Sequence, residues 1–66
     1  MKVTKTKGLY LIELEYSTKW SSVKTVFIYN PKEKELSLHH TDDGDNLGWA
    51  TSEVESFIEK NKKVLG

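Results

Sequence analysis

Apolar residues recur at every second position along residues 9–16, LYLIELEY, and this alternation predicts a β-strand. Tyr10, Ile12, Leu14 and Tyr16 fall on one face of it. Leu9, Leu11, Glu13 and Glu15 fall on the other, and the two glutamates mark that second face as the wetter one. Residues 23–30, VKTVFIYN, are apolar at both parities, as a central strand should be. The intervening STKWSS reads as a polar connection. Pro31 then fixes φ near −65° at the start of a turn. A three-residue loop, Pro31 to Glu33, pairs Ile28 with Leu36 and Val26 with Leu38. It gathers aliphatic residues on one face, at the cost of a left-handed backbone at Glu33. A four-residue loop pairs Phe27 with Leu38 instead. The aliphatic grouping favours the shorter loop.

The stretch LHHTDDGDNLGW, residues 38–49, contains Asp43-Gly44, a strong signal for a tight hairpin. With those two residues as the turn, His40 opposes Leu47 and Leu38 opposes Trp49. Leu36, Leu38, His40, Leu47 and Trp49 then share a face, and a one-residue slip scatters them. The last segment predicts a helix. Ser52 serves as N-cap with Glu55 three residues on, Val54, Phe57, Ile58 and Leu65 form a stripe, and Lys60, Lys62 and Lys63 complement the dipole at the C-terminal end.

The expectation is one α+β domain spanning residues 1–66. Its architecture is a small antiparallel β-meander of three to four strands with one C-terminal helix packed on one sheet face, ββββα. One helix leaves the other face open, and that face is expected to carry Leu9, Leu11, Glu13, Glu15, Thr25, Phe27 and Tyr29. Apolar surface left open on a small domain marks an interface. The expected partner-binding residues are Leu11, Phe27 and Tyr29 on the sheet and Trp20 in the loop before it, since tryptophan and tyrosine commonly anchor contacts.

Composition sharpens this picture. At 66 residues, folding buries only roughly 60% of the surface the unfolded chain exposes, so outside help with stability is common. With no cysteine, neither a disulfide nor a thiolate metal site provides that help, and a reducing cytoplasm is the expected location. Self-association remains. No apolar run approaches the length of a membrane span, and LYLI after the basic start is too short for an export signal. The ten basic residues, all lysine, balance ten acids, and arginine, the usual reader of bases and phosphates, is missing. This composition is like that of small accessory proteins of lysine-rich bacterial or phage genomes.

His39, His40, Asp42, Asp43 and Asp45 are metal-ligand types. Yet neighbouring strand residues point to opposite faces, and the spacing misses the calcium-loop pattern. No nucleophile motif, glycine-rich phosphate loop or sheltered His-Asp pair is present. The expectation is therefore no enzyme, no cofactor, no metal and no small-molecule substrate. Its partner should be another protein or a second copy of the chain. The alternative is a module for single-stranded nucleic acid, stacking bases on Tyr10, Tyr16, Trp20, Phe27 and Tyr29 beside Lys5, Lys7, Lys19 and Lys24. Glu13, Glu15 and the neutral net charge oppose that alternative.

Overall fold

The computed structural model describes residues 1–65. Four antiparallel strands, β1 (Lys2–Thr6), β2 (Leu9–Ser17), β3 (Ser22–Asn30) and β4 (Glu35–Thr41), form one sheet in the order β1-β2-β3-β4. A short 3₁₀ turn, Gly44–Asn46, leads into α1 (Leu47–Lys60), and α2 (Lys62–Leu65) follows. The chain is thus α+β with the expected ββββα order. No helix among the described residues is long and apolar enough to cross a membrane.

The four strands are not all the expected ones. Lys2–Thr6, a stretch with little apolar pattern, pairs with β2 through a tight turn at Lys7-Gly8. Both turn residues have positive φ, 50° and 79°, as the primed hairpin turn demands. The expected Asp43-Gly44 hairpin does not form, and Gly44 is not among the positive-φ glycines. Asp43 instead opens the 3₁₀ turn, accepting the Asn46 side-chain amide at 2.6 Å. Leu47 and Trp49 therefore lie on α1 and not on a strand, and the helix begins five residues before Ser52. Helical spacing explains why: Leu47, Ala50, Val54, Phe57 and Ile58 make a longer apolar stripe than any strand could use here.

Turn lengths decide the faces. β2 and β3 are joined by a four-residue turn, Thr18 to Ser21, that pairs Ser17 with Ser22, Ile12 with Phe27 and Tyr10 with Tyr29. Thr18 closes it: its hydroxyl donates to the Ser21 carbonyl at 2.9 Å and accepts the Trp20 and Ser21 N–H groups. The next loop is the four-residue one, Pro31 to Lys34, with Phe27 opposite Leu38 and Tyr29 opposite Leu36. The Asn30 side chain accepts the Lys32 and Glu33 N–H groups, and the left-handed residue is Lys34, not Glu33. Both the preferred three-residue register and the Val26–Leu38 pairing are thereby overturned. Past Leu38 the register shifts: Val26 pairs with His40, and His39 is the extra residue of a bulge.

These registers put Tyr10, Ile12 and Leu14 with Phe27 on the side of the sheet covered by the helices. There they pack against Ala50, Val54 and Leu65. Thr25, fully buried on this side, shares a hydrogen bond with the Thr41 hydroxyl at 2.9 Å. Tyr16 meets Trp49 edge-on at 5.1 Å between ring centroids. Its hydroxyl is buried without a partner.

Candidate functional site

Cross-strand partners share a face, so the sheet side away from α1 can be read off the registers. Leu9 pairs with Thr6, Leu11 with Ile28 and Thr4, Glu13 with Val26 and Lys2, and Glu15 with Lys24. Ser37 lies opposite Ile28 and His40 opposite Val26. One half of this face is aliphatic, built on Leu9, Leu11 and Ile28 with Thr4, Thr6, Asn30 and Ser37 around them. The other half is charged. Val26, 9% exposed, is the best shielded residue of the face.

Leu11 therefore lies on the open face as expected, and Phe27 and Tyr29 do not. Phe27 is 3% exposed in the core beneath the helix. Tyr29 packs against the same core. It also lines a cleft of about 500 Å³ between β4 and the helices, floored by Leu36 and Ile58 and rimmed by Lys34, Lys62 and Lys63 with Glu55 and Glu59. Thr25 is likewise on the covered side. The error has one cause. β3 is apolar at both parities, so only the length of the Thr18–Ser21 turn tells which parity faces the helix. The residues that sequence reasoning missed are Val26 and Ile28, which were expected to gather with Leu36 and Leu38 on the core face.

Trp20 is 86% exposed at the tip of the β2–β3 turn, with the Lys19 ammonium 5.7 Å from its ring centre. The structure does not bring it together with Leu11. Ser17 lies six residues further along β2 than Leu11, about 20 Å. Trp20 instead borders a shallow hollow of about 400 Å³ lined by Lys19, Val23, Asp42, Asp43, Asp45 and Asn46.

Lys24 is the centre of the charged half. Its ammonium lies 3.9 Å from the Glu13 carboxylate, and Glu15 is its cross-strand neighbour. Asp42 extends the pairing: its N–H donates to the Lys24 carbonyl at 3.0 Å and its carboxylate accepts the Lys24 N–H at 3.3 Å. His40 Nε2 lies 2.7 Å from the other carboxylate oxygen. The His40 hydrogen bond foremost, and then the Lys24 N–H, hold the Asp42 carboxyl below its ordinary range. His40 is thus an exposed partner of Asp42 and not a core-facing neighbour of Leu47. Among the described residues, no three histidine, aspartate or glutamate side chains converge as a metal site would need.

The aromatic platform imagined for nucleic acid is also dispersed. Tyr10, Phe27 and Tyr29 pack under the helices, and Tyr16 lies against Trp49. Among the described residues, the open face carries no phenylalanine, tyrosine or tryptophan in its paired rows. The chain matches no protein-family model, no curated protein and no solved structure.

Proposed function

We propose that this chain is a small non-enzymatic protein-binding or regulatory accessory module whose docking surface is the sheet face opposite α1. The observation that supports this reading is the aliphatic half of that face, where Leu9, Leu11 and Ile28 remain partly exposed side by side on β2 and β3. Covering partly exposed aliphatic side chains stabilises an association by roughly 25 cal/mol per Å² removed from water. The polar and charged residues around the patch supply the rim that gives such contacts their orientation. Leu11 keeps its proposed partner-binding role, and Ile28 takes the place of Phe27. Trp20 is a second, separate contact point. The lack of cysteine suits work in a reducing cytoplasm.

The sheet edges favour docking through the face over edge pairing. β1 carries Lys2 and Lys5, and β4 is broken by the bulge at His39, two devices that discourage a strand from adding to an edge. A nucleic-acid role loses its support on this geometry, because stacking needs exposed rings in a row and the open face offers glutamates.

The test is capture from a lysate of the cells that make the protein, with wild type, Leu11→Lys, Ile28→Lys and Lys32→Glu immobilised in parallel. The reading expects partners, including soluble copies of the chain itself, that wild type and Lys32→Glu retain and both face variants lose. Equal capture by wild type and all three variants, or capture abolished by nuclease, contradicts it.

A further inference from the structure

We infer that the occupant of the open face is a second copy of this chain, stacked face to face about a two-fold axis that runs along the strands between β2 and β3. The inference rests on the docking-face reading and adds the identity of the partner. Its basis is an exchange property of the face. A two-fold in that position keeps every row of the sheet at its own height and swaps β2 with β3. Each outward residue of β2 then lies over its own cross-strand partner in the other copy. Those partners are Leu11 with Ile28, Glu13 with Val26 and Glu15 with Lys24, and the first and last of these are matched in character. The intramolecular matches, one aliphatic and one of opposite charge, are therefore repeated between the molecules.

The centre of such an interface is apolar: Leu11 and Ile28 of each copy meet near the axis. At its charged end Glu15 and Lys24 of one copy meet Lys24 and Glu15 of the other. Glu13, across from Val26, has its carboxylate drawn toward Lys24, 3.9 Å away. A two-fold running across the strands does not have this property. It flips the rows about Leu11 and carries Glu15 and Lys24 of one copy to the opposite end of the face from Lys24 and Glu15 of the other, so the opposite-charge contact is not made. Twist sets aligned sheets about 30° apart, which leaves the central contact in place and displaces the charged row, four residues along, by about 7 Å, a span that the long lysine and glutamate side chains can bridge.

The size of the face sets the strength. Strands about 4.8 Å apart and about 3.4 Å of rise per residue give roughly 400 Å² of projected face per copy. The two faces together make about 800 Å², below the roughly 1,200 Å² at which standard specific interfaces begin, so the pair is a weak dimer that dissociates on dilution.

Charge reversal tests the geometry. Glu15→Lys carries lysine at both positions 15 and 24, and Lys24→Glu carries glutamate at both. Each variant repels its own copy, while a mixture of the two is attractive at every contact of this row. In sedimentation velocity at low ionic strength, wild type should move from the mass of one chain toward twice that mass as concentration rises. Each single variant should stay monomeric over the same range, and an equimolar mixture should regain the dimer. High salt should remove the penalty from each single variant. Unchanged circular dichroism shows that both variants are folded, as expected for exposed side chains. A wild type that stays monomeric at millimolar concentration overturns the inference, as do variants that dimerise like wild type or a mixture that stays monomeric. A monomeric wild type that still loses a captured foreign partner on Ile28→Lys refutes the second copy and leaves the docking face standing. If capture is also indifferent to Ile28→Lys, both fail.

Discussion

Phe27 and Ile28 are neighbours in β3, and the registers give them opposite fates. Phe27 is 3% exposed between Ile12 on one side and Leu38 on the other, beneath the helices. Ile28 faces away, across from Leu11 and Ser37. Truncating a buried phenylalanine to alanine costs about 3–5 kcal/mol, because the cavity adds to the lost transfer energy. At about 0.05–0.15 kcal/mol per residue, a chain of 66 residues has only about 3–10 kcal/mol in total. Phe27→Ala should therefore remove a large share of that stability, and the milder Phe27→Leu a smaller one. Ile28→Thr keeps the branched strand residue and changes a half-covered surface, so its cost should be about 1 kcal/mol or less. Urea titration followed by tryptophan fluorescence reads both, with Trp49 reporting through its contact with Tyr16. At a slope of about 1 kcal/mol per M, the midpoint should fall by about 3 M or more for Phe27→Ala and by about 1 M or less for Ile28→Thr. The titration belongs at low micromolar concentration, where association adds nothing to stability. Equal losses at the two positions, or a larger loss at Ile28, would refute the register and with it the assignment of the open face.

Other outcomes follow from single features. Tyr16→Phe should raise stability by about 1 kcal/mol, since it removes a buried hydroxyl that has no partner, and thermal melts of the two proteins check it. Gly8→Ala should cost about 1 kcal/mol from backbone conformation alone, because φ is 79° and an added methyl meets nothing within 4 Å. Gly44→Ala should be far milder, and a matched pair of denaturation curves separates the two. Asp42 is held below its ordinary carboxyl value of 3.8, so the ion form stabilises the fold above that pH. The contribution is lost as pH falls through 3.8 and on through the folded-state value. Asp42→Asn should flatten that part of the stability-against-pH curve, and salt should shrink the effect in wild type because the group is exposed.

The class of fold was legible because two signals were strong. Alternation in residues 9–16 makes β2, and the double-parity apolar run makes β3. The helix was legible from Val54 onward. Its first turns were not, because Asp43-Gly44 is a good hairpin signal locally and Leu47 and Trp49 also fit a strand. The spacing of Leu47, Ala50 and Val54 was the evidence for a helix, and tertiary burial of Ala50 and Val54 decided the contest. β1 has no apolar period to read, and its formation depends on the Lys7-Gly8 turn and on the free edge of β2. The candidate face was half legible. Leu11 carries a glutamate-marked parity that points to solvent, whereas the parity of β3 hangs on a four-residue turn closed by the Thr18 hydroxyl. No periodicity in the sequence encodes that count. The same turn presents Trp20 to solvent, which its aromatic character alone did not dictate.

The most direct test of the docking face uses the absence of native cysteine. Single-cysteine variants Ile28→Cys, on the open face, and Ser56→Cys, on the exposed surface of α1, can be labelled with a maleimide both in intact cells and as dilute purified protein. The account predicts that position 56 reacts equally fast in both settings, while position 28 reacts fast in dilute solution and is protected many-fold in the cell, where a partner covers it. Equal labelling of position 28 in the two settings would contradict the claim that this face is occupied.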